Sequence, residues 1–522
     1  MELYDCTLRE GEQAKGASLS LDDRIKMCKL LDEFGVDYIE LGWPYVSKEI
    51  FNSFSEAIPL VKRAKIVAFG STSIETYPEV DKNLGSIIRC GAKYACIFGK
   101  TDVTHVEKQL GLSNKENLEK ISNSVSFLRK NNVSVFYDAE HFFDGFKKNP
   151  EYAIETLFSA KRAGAERLIL CDTNGGKLPN EVEEIVKYTK NELEKDGLEV
   201  QLGVHLHDDC GLALANTLVA LPYIKQVQGT INGLGERVGN LNLTTFVANY
   251  LDKMNGKLNV DMKRLKEFNE ESFRLCGVVV SERRPYVGET AFCHRGGVHV
   301  NAMMKGASYE HTEPEKFGGK RIIILNSLGG ISSVVGVASQ FGIELNREIP
   351  EFYEKVQKLM EELRTYERSG YDLGTLPAEQ FLILNKYFGN QRNLFEIKAW
   401  NSESKRRVDG DESASFYALC DVTGKLVDSE VEVKGGPVEA GFNVLKKVLS
   451  PYYPSVSDLH LSDFRVTIAR EREEESTVRN EIWFRNGKDF STVGVDRNII
   501  GSAVEALAKG FRYHLSYEGK NE

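Results

Sequence analysis

The chain has 522 residues, 67 Lys plus Arg against 77 Asp plus Glu, a formal net charge of −10 and 41% hydrophobic residues. At roughly 150 residues per domain this predicts two to four domains with enough apolar content for a large core. No apolar run approaches the ~18–20 residues of a membrane span, and the acidic balance excludes nucleic acid as the main partner, because tracking phosphates needs a basic face.

The nine cysteines are scattered, odd in number and without a CxxC pair. That pattern reads as free thiols in a reducing cytoplasm, not as a disulfide or zinc framework. Candidate chemistry begins within a few residues of Met1, which leaves no room for a signal or transit peptide. A cytoplasmic, multidomain enzyme is expected.

Short strands rich in Val, Ile, Leu and Tyr are predicted at Leu3–Cys6, Tyr38–Gly42, Ile66–Gly70, Tyr94–Phe98, Val133–Tyr137, Arg167–Cys171, Gln201–His205 and Gln226–Ile231. Helical segments separate most of them. The clearest is Leu21–Phe34, with Ser20 as N-cap, Ile25, Cys28, Leu31 and Phe34 at helical spacing, and Gly35 to end it. Ser113 and Glu116 form a capping-box pattern after the fourth strand. Eight β-α repeats in about 250 residues predict a TIM (β/α)8 barrel. The runner-up is an open doubly wound sheet, whose GxGxxG loop is missing after the first strand.

Beyond the barrel, Arg284–Lys320 is rich in Gly, His, Arg and Pro without a sustained apolar period, which predicts a long functional loop. Ile322–Gly370 reads as helical, most plainly over Pro350–Tyr366, and Leu373–Phe388 reads as a connector. The last third predicts a separate α+β domain of two β-β-β-α units. The first has strands at Leu394–Trp400, Ser415–Cys420 and Val427–Lys434, then a helix to Leu449. The second has strands at Asp463–Arg470, Val478–Arg485 and Phe490–Val493, then Gly494 and a helix over Asn498–Lys509. The charged run Arg470–Glu475 reads as a solvated hairpin. The expected division is a barrel (1–265), a loop and helical linker (266–388) and a separate C-terminal domain (389–522).

Catalysis in a TIM barrel uses the C-terminal strand ends, and polar residues cluster there: Asp5, Arg9, Glu10 and Gln13; Glu40; Asp138, Glu140 and His141; Asp172, Thr173 and Asn174; His205, His207, Asp208 and Asp209; and Asn232 to Asn240. In His205-Leu206-His207 the imidazoles are two residues apart, so they share one strand face about 6.6 Å apart. Such a pair can grip one divalent ion, and a carboxylate from another strand completes the site. The competing reading is two polar residues at a strand end. Arg9 cannot lose its proton, so it can meet an oxyanion or a substrate carboxylate, with a surface ion pair to Glu10 as the alternative. Glu140 is a candidate base and His299 a candidate acid or relay. A solvated loop acid and a satisfied loop histidine are the plain alternatives.

Asp5–Gln13 (DCTLREGEQ) resembles the signature of the acyl-CoA-condensing and -cleaving, metal-dependent TIM barrels, the 2-isopropylmalate synthase and homocitrate synthase family with its lyase relatives. Gly203–Asp209 (GVHLHDD) resembles its second signature and Gly229–Asn240 (GTINGLGERVGN) its third. Tyr137–Gly145 (YDAEHFFDG), Asn149–Tyr152 and Cys171–Gly176 (CDTNGG) look like the long-form (R)-citramalate synthase branch. The resemblance implies Glu10, His205 and His207 as ligands of a divalent metal (Mn2+, Zn2+, Co2+ or Mg2+), with Asn240 near or on it. Many relatives carry Asp where this chain has Glu10. It further implies Arg9 on the keto oxygen, Glu40 holding Arg9, Thr173 on the substrate carboxylate, Gln13 at the substrate and Glu140 helping to deprotonate the acyl-CoA methyl. His299 and Tyr309 match a lid pair within Phe292–Tyr309, often donated by a partner subunit.

The implied activity is an acyltransferase one: a Claisen-type condensation of acetyl-CoA with pyruvate that feeds isoleucine synthesis. A C-terminal domain would dimerise the chain and bind isoleucine or leucine. The alternatives are 2-isopropylmalate synthesis from 2-oxoisovalerate, an acyl-CoA lyase, and a non-catalytic amino-acid sensor. No phosphate-cradling loop marks a CoA site in the sequence.

Overall fold

The computed structural model describes the chain except residues 198, 279–280, 328, 370, 372–375, 390–392, 407–411, 471–475, 488 and 518–522. The hairpin expected around 471–475 therefore lies outside the described residues. The chain divides into two compact units, Met1–Ala291 with Thr312–Lys320, and Phe292–His311 with Arg321–Glu522.

The first unit is built on a closed parallel barrel of eight strands: β1 (Glu2–Asp5), β2 (Tyr38–Gly42), β3 (Lys65–Ser71), β4 (Tyr94–Lys100), β5 (Ser134–Glu140), β6 (Arg167–Asp172), β7 (Leu202–Leu206) and β8 (Gln226–Gly229). The ring closes where β1 pairs β8, with Glu2 opposite Gln226 and Asp5 opposite Gly229. Closure removes the open-sheet alternative. All eight strands stand where the sequence predicts them, and β4 and β5 run two and three residues further toward the site.

The barrel interior is aromatic. Tyr4, Tyr38 and Phe136 are buried together, with the Tyr38 and Phe136 rings 5.0 Å apart and edge-on. The helix Leu21–Phe34 forms as predicted: the Ser20 hydroxyl accepts from the Asp23 N–H, and Gly35 terminates the helix at φ 104°. A Cβ at Gly35 would lie 2.0 Å from the Asn259 carbonyl oxygen, so only glycine fits there. The Ser113–Glu116 capping box is present.

In the second unit, the segment read as a long loop carries a short strand, β9 (Cys293–His294), paired in parallel with β10 (Ile322–Ile323), and a helix, Gly297–Met304. Helices Gly330–Gln340 and Pro350–Ser369 follow. The expected connector contains a helix, Pro377–Phe388, with Pro at its first position and Ala378, Phe381 and Leu384 buried on one face.

The two β-β-β-α units are real. β11 (Phe395–Arg406), β12 (Glu412–Val422) and β13 (Lys425–Val433) precede helix Pro437–Leu449, and β14 (His460–Arg470), β15 (Thr477–Arg485) and β16 (Asp489–Asp496) precede helix Ile499–Tyr517. Both sheets are antiparallel, and Phe416, Phe442, Phe484 and Phe511 share one core. Gly494 lies inside β16 and does not end it. Helix Ile499–Tyr517 packs so close that a Cβ there would sit 1.9 Å from the Ser502 carbonyl oxygen. β16 is an edge strand whose Val493 and Val495 N–H groups donate to the Glu379 and Glu505 carboxylates. The Lys509 ammonium lies between those carboxylates, 3.3 Å and 3.1 Å away.

Candidate active site

The turn after β1 places Arg9 and Glu10. The Arg9 and Glu10 N–H groups donate to the Cys6 carbonyl. Thr7 donates its hydroxyl to Asp5 and accepts the Ile231 N–H at 2.8 Å, which ties this turn to the loop after β8. Burial pushes the Asp5 carboxyl up to about 7, against the bonds from Thr7. Glu40 on β2 is fully buried; it accepts Arg9 Nε on one oxygen and the Tyr4 hydroxyl, 2.5 Å away, on the other. Arg9 is thus locked in place from below, and its guanidinium carbon lies 3.8 Å from the centre of the Phe69 ring.

The loop after β8 needs its glycines: Gly239 has φ 102°, and a Cβ there would meet the Gly233 carbonyl oxygen at 1.8 Å. That turn brings Asn240 into a backbone bridge with His207. Arg237 then grips Asp209 through two nitrogens, at 2.7 and 2.9 Å, and donates to the Thr173 carbonyl. The third sequence motif therefore holds the second in place.

These elements surround a cavity of about 450 Å3 at the C-terminal mouth of the barrel. Arg9, Glu10, Gln13, Glu140, Thr173, His205 and His207 all line it. Glu40 lies behind Arg9, and Asn240 stands beside His207. His299 and Tyr309 belong to the second unit, where their rings stack 4.1 Å apart.

The donor set suits a divalent metal. The His205 and His207 rings are 5.4 Å apart. His205 Nδ1 is engaged by Gln228 at 2.9 Å, which leaves Nε2 to offer. Two buried polar atoms, His207 Nδ1 and Asn240 Oδ1, have no hydrogen-bond partner. Burial, reinforced by His205, pushes His207 down to about 3, so its imidazole is neutral, the form that binds metals. Burial works against the charged form of Glu10 and is the largest single influence, but Arg9, followed by His205, His207 and Arg237, together hold this carboxyl below its ordinary range. Among the described residues, no three His, Cys, Asp or Glu side chains stand ready as a cluster. In this arrangement the Glu10 carboxylate is turned onto Arg9 Nη1 in a close ion pair. Glu10, His205 and His207 would supply the donor types of a two-His, one-carboxylate site, with Glu10 carrying one methylene more than Asp.

Three features escaped the sequence reading. Lys100, at the end of β4, forms a close ion pair with Glu140 Oε2, though not along a hydrogen-bond direction. It shares a strand face with Phe98, in the two residues by which β4 outruns its predicted end. Gln228 is buried under His205. Trp43, Phe69 and Phe98 form an aromatic wall beside Arg9, with Phe69 and Phe98 stacked at 5.5 Å and Trp43 edge-on to both at 5.8 Å. Among the described residues no disulfide is present and most of the cysteines are buried, and no helix among them is long and apolar enough to cross a membrane.

Residues 1–271 match the HMGL-like family, 286–364 the homocitrate synthase post-HMGL domain-like family, and 378–515 the LeuA allosteric (dimerisation) domain. The chain is 37% identical to the (R)-citramalate synthase of Aquifex aeolicus, over 98% of this chain and 97% of that one. It is 37% identical to the (R)-citramalate synthase of Sulfolobus acidocaldarius, over 99% and 97%. Identity to the 2-isopropylmalate synthase of Methanocaldococcus jannaschii is 26%, over 99% and 95%. A relative above 30% identity that matches nearly end to end, with the HMGL-like family over half the chain, establishes membership: the chain belongs to the HMGL-like family and, within it, to the (R)-citramalate synthases.

Proposed function

We propose that this chain condenses acetyl-CoA with pyruvate to give (R)-citramalate and CoA. The observation that carries the reading is one cavity in which a guanidinium locked by a buried carboxylate, a pair of histidines and a lysine-anchored carboxylate face a common space. A divalent ion held by Glu10, His205 and His207, with Asn240 beside them, would supply Lewis-acid polarisation of the keto acid.

The chain's own groups do the rest. Thr173 and Gln13 bind the acceptor at the cavity wall. Glu140, anchored by Lys100, takes a proton from the acetyl methyl. The resulting carbanion attacks the keto carbon, and the new alkoxide is met by Arg9, whose position costs no reorganisation because Glu40 and Tyr4 have fixed it in advance. Water then cleaves the thioester and CoA leaves. His299 and Tyr309 keep the shielding and proton-transfer role that the family resemblance assigns to them.

Regulation belongs to the second unit. A cavity of about 580 Å3 lies where helices Pro437–Leu449 and Ile499–Tyr517 begin, with apolar walls from Val438, Phe442, Phe464 and Ile500 and amide groups from Asn443 and Asn480. Its mixed lining suits an apolar amino acid, and citramalate as the product puts isoleucine ahead of leucine. The working division is catalysis in 1–265, lid and linker in 266–388, and regulation with homodimer formation in 389–522, in a cytoplasmic enzyme.

The test is thiol release from acetyl-CoA with a panel of 2-keto acids, repeated with each amino acid added. Pyruvate should be the best acceptor, and Arg9→Ala and His207→Ala should each abolish turnover in folded protein. Retained turnover in either variant overturns the assignment.

A further inference from the structure

Two glutamines run down the inside of β8, and both are fully buried. At the bottom of the barrel, Glu2 is clamped by Arg167, whose Nε and Nη2 reach its two oxygens at 3.0 and 2.7 Å. Gln226 Nε2 donates to Glu2 Oε2 at 3.3 Å. Gln228 Nε2 donates to Gln226 Oε1 at 3.3 Å and to Asp138 Oδ1 at 3.5 Å. Gln228 Oε1 then faces His205 Nδ1 at 2.9 Å.

The direction of every bond in this column follows from its lower end. An ionised carboxylate only accepts. Glu2 therefore takes the amino end of Gln226, which turns the Gln226 oxygen upward. That oxygen takes the amino end of Gln228, which turns the Gln228 oxygen toward His205. If the Gln228 amide were reversed, its oxygen would face the Gln226 oxygen and the Asp138 carboxylate in the buried interior, with acceptor against acceptor. An oxygen at Nδ1 requires an N–H at Nδ1. In a neutral imidazole the lone pair then lies on Nε2.

We propose that Gln228 is a positioning residue for His205, holding it as the Nδ1–H tautomer with Nε2 bare toward the cavity, and that Gln226, with Glu2 and Arg167 beneath it, sets the direction of the Gln228 amide. The inference rests on the metal reading of the site only for its purpose, since the tautomer itself can be observed without metal.

The first measurement is the ring-nitrogen NMR pattern of His205 in the metal-free full-length protein with 15N-labelled histidine. An Nδ1–H tautomer is expected, and an Nε2–H tautomer overturns the proposal. The second is titration with Co2+ alone, followed by its visible absorbance, in the wild type, Gln228→Met and Gln226→Met. Methionine keeps the volume and removes the amide. Gln228→Met should weaken Co2+ binding by roughly 10- to 100-fold, as loss of a partner behind a metal-binding histidine does, and should scramble the tautomer. Gln226→Met should weaken binding less. Co2+ bound by Gln228→Met as tightly as by the wild type overturns the proposal. If Gln228→Met fails to fold, the wild-type tautomer and the Gln226→Met titration decide. If the wild type shows the Nδ1–H tautomer but binds no Co2+, the metal reading falls and the positioning role of Gln228 stands.

Discussion

The aromatic wall beside Arg9 makes acceptor choice a matter of volume. Arg9 lies on Phe69, Phe69 stacks on Phe98, and Trp43 closes the corner with its indole N–H donated to Asn83 at 2.7 Å. An acceptor whose keto oxygen meets Arg9 presents its side chain to these rings. Pyruvate has one methyl there, and 2-oxoisovalerate has two more. Phe98 is the ring to remove, because Phe69 supports Arg9 whereas Phe98 is only partly buried. Phe98→Ala should therefore cost less stability than the ~3–5 kcal/mol of a fully buried Phe→Ala change. Two methyl groups accommodated in the vacated space gain about 0.8 kcal/mol each, ~1.6 kcal/mol together, within the ~1–3 kcal/mol over which apolar pockets discriminate. The ratio of kcat/KM for 2-oxoisovalerate to that for pyruvate should rise roughly 15-fold by this arithmetic. The assay is thiol release with each acceptor over a range of concentrations. A parallel fall in both values, with the ratio unchanged, would refute the placement of the acceptor side chain against this wall.

Three further outcomes follow from named contacts. Lys509→Met leaves Glu379, 5% exposed, without its cation and the Val493 carbonyl without its donor, and should lower the stability of the second unit by about 3–5 kcal/mol; an unchanged calorimetric transition for that unit would contradict it. Folded Asp5 keeps its proton up to about pH 7, whereas the unfolded value is 3.8, so the folded state binds more protons between pH about 4 and 7 and Asp5 makes stability fall as pH rises through that window. Asp5→Asn should flatten that fall by an amount on the order of a few kcal/mol, and superimposable urea-midpoint profiles against pH would be the contrary result. Phe464, Val466 and Ile468 are 48%, 39% and 64% exposed at alternate positions of edge strand β14, a stripe suited to a second copy of the chain; Ile468→Asp should shift the protein from dimer to monomer in light scattering, and an unaltered mass would remove this stripe from the interface.

The parts legible in the sequence are those specified by neighbours along the chain. Ser20, Gly35 and the intervening apolar period locate the helix Leu21–Phe34 to the residue, and eight short apolar runs locate the barrel strands. The helix Pro377–Phe388 was obscured because Phe381-Leu382-Ile383-Leu384 is an unbroken apolar run that hides the period of its buried face. The motif residues were legible because each lies at a strand end. Lys100 facing Glu140, Gln228 under His205 and the wall of Trp43, Phe69 and Phe98 were not. Each pairs residues from different strands, and which side chains meet is set by the stagger between strands, which no single segment encodes.

Glu10 shows how far that limit reaches into the chemistry. The motif puts Arg9 and Glu10 side by side, and either role, ion pair or metal ligand, fits the local sequence. The structure adds Glu40 and Tyr4 beneath Arg9, so the guanidinium is held through Nε whether or not Glu10 stays on Nη1. Glu10 is therefore dispensable for placing Arg9. As the site stands, the carboxylate expected to bind metal and the guanidinium nitrogen beside it satisfy one another. Turning Glu10 toward His205 and His207 frees an Arg9 N–H in the same movement, and Arg9 stays where Glu40 holds it. A net charge of −10 gives no hint of this, because the cationic character of the cavity depends on which way one carboxylate faces.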